Sequence, residues 1–326
     1  MLLKIVLLAA AAAFVALIDC NPSLWLYAKL SPSLEAYQDK AVWITGASSG
    51  IGAELAVQLS HAGARLVLSA RRASELELVK ARCKVGSSVA LLPLDVTAST
   101  ATLDAAVTKA LAAVGGGGLE LLVLNAGRSQ RQPAVDSDIQ VTRDIMKLNF
   151  ESTVELAMLV IQKDKWVQKE KGHIVVTSSV AGKLPVALSS SYAASKAALH
   201  GYFNSLRSEF RWLRVDVVCP GPVATPIALA AHSTPAGKVH LQNEKNDNKM
   251  SVERFALLML SGVKGPHWLF YETWISQQPE LLFTALGQYL PTFTTGLAKR
   301  LGPKRIEAFY NGQDIYKSSA WMGKKS

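Results

Sequence analysis

Tyr192 and Lys196 stand four residues apart in the run Tyr192-Ala193-Ala194-Ser195-Lys196. On a helix that spacing sets a phenol and an ammonium on one face. A tyrosine keeps its proton to about pH 10 and is a poor base at neutrality. A neighbouring cation stabilises the phenolate, which lets the pair pass a proton to or from a reacting oxygen. Ser179, thirteen residues upstream of Tyr192 in Thr177-Ser178-Ser179-Val180-Ala181-Gly182, adds a hydroxyl able to polarise a carbonyl or orient the phenol. Alone, a Tyr-x-x-x-Lys pair also arises where a lysine stem lies over a ring on a helix surface. The surrounding sequence separates the two readings.

Upstream lies Thr45-Gly46-Ala47-Ser48-Ser49-Gly50-Ile51-Gly52, between an apolar strand-like run and a helix-like one. Glycines allow a tight turn and close backbone approach, and a helix start offers unpaired N–H groups to phosphate. The Gly-x-x-x-Gly-x-Gly spacing differs from the usual Gly-x-Gly-x-x-Gly dinucleotide fingerprint, and the alternative is a turn that binds nothing. The next strand ends in Ser69-Ala70-Arg71-Arg72 with no Asp or Glu at once behind it. A carboxylate there grips the 2′-hydroxyl of NAD, whereas a guanidinium matches the 2′-phosphate of NADP. The plainer reading makes Arg71 and Arg72 solvated charges opening a helix. Asp95, before Val96, and Asn125 in Asn125-Ala126-Gly127 fall at strand ends, where such sheets meet their ligand or where a polar side chain caps the strand.

These residues need elements to carry them. Strand-like runs at 41–45, 65–69, 89–94, 119–124, 173–177, 215–219 and 272–275 alternate with helical ones at 51–62, 74–83, 101–114, 135–163, 191–213 and 252–260. The pattern predicts an α/β fold: a Rossmann-like doubly wound parallel sheet of about seven strands with helices on both faces. Gly115–Gly118 falls where a helix must turn back into a strand.

The chain has 326 residues, 49% of them hydrophobic and 18% charged, enough for one large covered core. Its net charge of +10 is spread without an aromatic-basic stripe, so nucleic acid is not an expected partner. Cys20, Cys83 and Cys219 show no paired or metal-ligand spacing and read as buried thiols, with no metal site.

Both ends are unlike the middle. Lys4 precedes an uncharged run from Ile5 to Ile18, closed by Asp19. As a helix that run reaches about 21 Å against a hydrocarbon core of about 30 Å. Leu2, Leu3 and the later Trp25 and Tyr27 could extend it into an uncleaved anchor with an interfacial aromatic edge, whereas cleavage would release a secreted protein. The expected organisation is a membrane anchor over residues 1–28, a linker over 29–40, a catalytic domain over 41–276 and a C-terminal extension over 277–326. The extension combines large apolar residues with Lys299, Arg300, Lys304 and Arg305. It is expected to roof a pocket or form a homodimer contact, and also to rest on anionic lipid.

The ordered set of glycine loop, Asn-Ala-Gly, Ser-bearing strand end, Tyr-x-x-x-Lys and Cys219-Pro220-Gly221-Pro222-Val223 resembles the short-chain dehydrogenase/reductase family from about Ala41 to Thr225. The resemblance implies an oxidoreductase that interconverts hydroxyl and carbonyl groups with NADP(H). It makes Ser179, Tyr192 and Lys196 catalytic and Asn149, in Lys147-Leu148-Asn149-Phe150, the holder of a proton-relay water. It gives Gly46, Ser48, Ser49, Gly50, Ile51, Gly52, Arg71, Arg72, Asp95, Val96, Asn125, Tyr192, Lys196, Pro220, Gly221, Val223 and Thr225 to the cofactor. Microsomal members of the family further imply a steroid, retinoid or xenobiotic carbonyl as substrate and the endoplasmic reticulum membrane as location. The competing readings are an NAD-linked alcohol dehydrogenase of the same fold and a nucleotide-binding membrane scaffold without turnover.

Overall fold

The computed structural model describes residues 15–115, 117–228 and 249–313. Seven parallel strands form one sheet: β1 (Ala41–Thr45), β2 (Arg65–Ser69), β3 (Val89–Leu91), β4 (Leu121–Leu124), β5 (Gly172–Thr177), β6 (Leu213–Pro220) and β7 (Glu272–Ile275). Their spatial order is β3-β2-β1-β4-β5-β6-β7. The order reverses between β1 and β4, which opens a crevice at the carboxyl ends of those strands, where doubly wound sheets take their ligands. The runs Val42-Trp43-Ile44 and Leu121-Leu122-Val123-Leu124 are wholly buried because helices cover both faces.

Eleven helices are described: α1 (Pro22–Leu30), α2 (Gly50–His61), α3 (Ala73–Arg82), α4 (Thr100–Ala113), α5 (Ile139–Met146), α6 (Ser152–Lys163), the short α7 (Trp166–Lys169), α8 (Ser190–Glu209), α9 (Val252–Lys264), α10 (Glu280–Tyr289) and α11 (Pro291–Tyr310). One core layer joins α1, α2, α3 and α9 to the sheet through Leu24, Leu55, Leu76 and Phe255. The other joins α4, α6 and α8 through Val107, Val160 and Phe203.

The single helix expected over 135–163 begins only at Ile139, because the Asp138 carboxylate accepts from the Gln140 N–H at 2.7 Å and starts the turn there. Between α5 and α6 it widens into a π-turn, Lys147–Glu151, which carries Asn149. Single π-turns inside helices recur at functional sites. The helix expected over 191–213 stops at Glu209, since Leu213 already pairs with Gly172 in the sheet.

The largest correction concerns the N-terminal side. Pro22 is the first residue of α1, a position where its missing N–H costs nothing. Leu24 is fully buried against α9, and Tyr27 meets Phe270 edge to face at 5.3 Å. Just before α1, Cys20 bridges Ile275, Asn21 N donates to Trp274 O at 3.0 Å and Ser276 N to Asp19 O at 3.0 Å. Asp19 also pairs with Arg254 at 2.8 Å. Residues 18–30 are thus built into the α/β body, where the sequence suggests an anchor to residue 28 and a linker from 29. Trp25 and Tyr27 are not an exposed aromatic edge. No helix among the described residues is long and apolar enough to cross a membrane, and residues 1–14 of the Ile5–Ile18 reading lie outside them. The three cysteines are free and buried.

Candidate active site

The glycine loop leaves β1 at the strand-order reversal. Gly46 and Gly50 take positive φ, 65° and 54°, a region that favours glycine. A Cβ on Gly46 would meet Ala126 Cα at 2.8 Å, and one on Gly52 would meet the Gly46 carbonyl at 2.4 Å. Bare backbone is therefore required for the loop to lie this close to the end of β4. Asn125 locks the two together: its Nδ2 donates to Thr45 O at 3.2 Å and Gly46 O at 3.3 Å, while its own N–H donates to Thr45 Oγ1 at 3.1 Å.

A cleft of about 1060 Å³ runs from this loop along the carboxyl ends of the strands. Gly46, Ser48, Ser49, Gly50, Ile51, Arg71, Arg72, Asp95, Val96, Asn125, Ser179, Tyr192, Lys196, Pro220, Gly221, Val223 and Thr225 all line it. Gly52 and Asn149 do not line it. Gly52 packs behind the loop, and Asn149 is fully buried behind the wall formed by its neighbour Leu148. The Asn149 carboxamide is fixed from three sides: Nδ2 donates to Arg128 O and Ser195 Oγ, each at 3.0 Å, and Oδ1 accepts from Arg128 N at 2.9 Å. It ties the segment following Asn125-Ala126-Gly127 to the helix that carries Tyr192.

At the catalytic end, Ser179 follows β5 and Tyr192 and Lys196 occupy the first turns of α8. The Lys196 ammonium lies 5.7 Å from the centroid of the Tyr192 ring and donates to the Thr177 carbonyl at 2.8 Å. Burial brings this lysine down to about 8. Below that pH it remains an ammonium beside the phenol, as the proton-transfer reading requires. The Ser179 hydroxyl accepts from Ala181 N at 3.1 Å, which fixes its direction. At the opposite end, burial alone would raise the Asp95 carboxyl, but hydrogen bonds from Thr97 and the charge of Arg71 hold it below its ordinary value.

The family model described as short chain dehydrogenase matches residues 40–235. The chain belongs to the short-chain dehydrogenase family. Human dehydrogenase/reductase SDR family member 7 is 40% identical to this dehydrogenase over 284 residues, 85% of this chain and 81% of that one. A hydroxysteroid 11-beta-dehydrogenase 1-like protein of Gallus gallus is 32% identical over 276 residues, 83% of this chain and 86% of that one. Among solved structures, a short chain dehydrogenase from Burkholderia cenocepacia in complex with NADP shares the fold at TM-score 0.64 and 22% identity, covering 81% of this chain and 98% of that one. The dehydrogenase is accordingly an oxidoreductase.

The far wall of the dehydrogenase's cleft comes from the C-terminal extension expected to roof a pocket and from a segment that no motif marks. Leu184, Pro185 and Val186 line it from the segment after Ser179, and Phe283 of α10 with Leu297 and Leu301 of α11 roof it. Of these, only Phe283 stood out in sequence, as part of an aromatic run. Arg305, read as a lipid-facing cation, is half-buried and lines the cleft, whereas Lys299, Arg300 and Lys304 are exposed. Residues 229–248 lie outside the described residues; beside that stretch Val223 pairs with Met250.

Proposed function

We propose that this dehydrogenase interconverts a hydroxyl and a carbonyl on a lipophilic substrate with NADP(H), using Tyr192 as general acid/base. The observation that carries the reading is one continuous cleft with Ser179, Tyr192 and Lys196 at one end and Arg71 at the other. The side-chain-free cradle at Gly46, Gly50 and Gly52 fits a pyrophosphate, and an arginine without a competing acid at the end of β2 fits a 2′-phosphate.

The nicotinamide, when bound, supplies or takes up the hydride. In reduction, Tyr192 gives its proton to the carbonyl oxygen as negative charge develops there, and Ser179 donates a hydrogen bond to the same oxygen. The Lys196 ammonium stabilises the resulting phenolate. We assign return of the proton to Lys196 together with a water held at the Asn149 π-turn. In oxidation the same groups act in reverse, with Tyr192 as base.

The apolar wall from Leu184 to Leu301 supports a lipophilic substrate of the steroid, retinoid or xenobiotic carbonyl class, and the hydroxysteroid in the name of the Gallus gallus relative favours the steroid within it. We further propose attachment to the endoplasmic reticulum membrane through the N-terminal apolar run. Val15, at the edge of that run, accepts from Gln278 Nε2 at 2.8 Å, directly before the roof helix α10. Leu282, Tyr289, Leu290 and Phe293 are exposed on the roof, so the run leaves the body beside an apolar surface.

The test is Tyr192→Phe with NADPH consumption followed optically on steroid, retinoid and aromatic carbonyls. Turnover should fall by at least about a hundredfold, the low end of acid/base contributions, with NADPH binding nearly unchanged. Retention of most of the turnover rejects the assignment.

A further inference from the structure

His200 lies one turn beyond Lys196 on α8 and is buried. Its Nε2 is 2.9 Å from Ser178 Oγ, and its Nδ1 is 3.1 Å from Glu272 Oε2 on β7. Ser178 Oγ also lies 3.1 Å from the backbone carbonyl of Lys196. That carbonyl can only accept, so the Ser178 hydroxyl stands between Lys196 O and His200 Nε2 and links the two. The Glu272 carboxylate also only accepts, so Nδ1 donates to it.

The Glu272 acceptor is itself fixed by several donors. Burial by itself would raise the Glu272 carboxyl, but hydrogen bonds from His200, Trp274 and Lys183 and the charge of His200 bring it down to about 2. Lys183 Nζ lies 3.0 Å from Glu272 and 3.4 Å from Gln288 Oε1 on the roof helix α10. Cys219 Sγ is 3.7 Å from Nε2, and burial pushes that thiol well above its ordinary value, so it stays neutral. Ligand atoms of His200, Cys219 and Glu272 all fall within 4.8 Å of one another. Glu272 is already held by His200, Trp274 and Lys183, so the cluster is knit by hydrogen bonds and an ion pair rather than arranged as metal ligands.

Ser178 and Gly182 flank the turn that carries Ser179, and both touch the Lys196 backbone. A Cβ on Gly182 would stand 3.1 Å from the Lys196 carbonyl oxygen. These two contacts set the separation between the Ser179 turn and the helix bearing Tyr192 and Lys196.

We propose that His200, held between Ser178 and Glu272, is a positioning residue that keeps the Ser179 turn in register with Lys196 and couples that register to the pocket roof through Lys183 and Gln288. The inference rests on the proposed catalytic set, so its test includes a measurement that needs no substrate.

His200→Leu removes both ring nitrogens, while His200→Arg offers donors to both partners. In the NADPH-bound protein, the Tyr192 phenol is titrated by ultraviolet absorbance, with Tyr192→Phe subtracted. His200→Leu should move that titration to higher pH and slow single-turnover hydride transfer about tenfold or more, as displacement of a reacting group does. NADPH affinity should stay within about twofold, so that the loss lies in the chemical step. His200→Arg should restore both the titration and the rate. If His200→Leu does not fold, Glu272→Gln is measured instead, with the same expected direction. A lower melting temperature with an unchanged Tyr192 titration and hydride rate overturns the proposal, as does failure of His200→Arg to restore either. If the wild-type protein reduces none of the carbonyls, the proposed reaction fails, and the Tyr192 titration still decides the role of His200.

Discussion

Lys196 Nζ lies 2.8 Å from the carbonyl oxygen of Thr177, the residue that ends β5. The bond holds a cation inside a wall from which water is almost wholly excluded; the lysine is 4% exposed. Burial is why the lysine falls to about 8 from its ordinary 10.5, the nearby Cys219 acting weakly the other way.

A lowered lysine destabilises the folded state wherever it must stay charged. Folded Lys196 gives up its proton near pH 8 and unfolded Lys196 near 10.5, so the penalty is complete below about 8 and gone above about 10.5. Its size is on the order of 3 kcal/mol, partly offset by the bond to Thr177. Cofactor-free Lys196→Met should therefore be more stable than wild type by about 1–2 kcal/mol at pH 7, with the gain shrinking between pH 8 and 10.5. Denaturant unfolding across that range checks it. The same variant should be inactive.

Arg71→Ala should weaken NADPH far more than NADH. The charge-assisted bond to a 2′-phosphate contributes roughly 1.5–3 kcal/mol, and NADH lacks that group. Arg72, which lines the same end of the cleft, should recover part of the loss. Titration with both cofactors decides between this and the NAD-linked reading: equal losses would make Arg71 structural.

Leu24→Ala should cost about 2–5 kcal/mol, the range for a buried leucine in a packed core. Leu24 is 0% exposed. A change below about 0.5 kcal/mol, typical of surface positions, would return residues 22–30 to a peripheral role.

A shortened chain beginning at Val15 keeps α1 and its pairing with β7. It should still bind anionic liposomes at low salt, through Leu282, Tyr289, Leu290 and Phe293 together with Lys299, Arg300 and Lys304. Each basic residue near such a surface is worth about 1 kcal/mol. Replacing those three with Gln should weaken the binding, as should salt. A shortened chain that floats free would leave the N-terminal run as the membrane attachment and assign the apolar roof to the pocket or a subunit contact.

Most of the residues that the cleft brings together were legible because each motif is local: a loop joined to its strand and helix, or two residues one turn apart on α8. Distant partners were not. His200 and Glu272 are 72 residues apart and meet only because β7 pairs with β6. The roof was legible as a segment but not as helices. Helix α11 contains Gly296, Gly302 and Pro303, all poor helix formers, and its cleft-facing residues include Thr294, Leu297, Ala298 and Leu301. Tertiary packing overrides local propensity there.

The pairing of Asp19, Cys20 and Asn21 with β7 also sets an order of events in the life of the chain. Asn21 and Trp274 are separated by 253 positions. At about 5–20 residues per second of synthesis, the early segment waits roughly 10–50 s for its partner to emerge from the ribosome. Leu24 has no α9 to cover it until residue 264 is made, and once β6 has emerged its edge stays unpaired until β7 follows. Nascent chains stalled before Gly265 should therefore be held by chaperones or aggregate through that edge, whereas chains released after Pro279 can close the sheet.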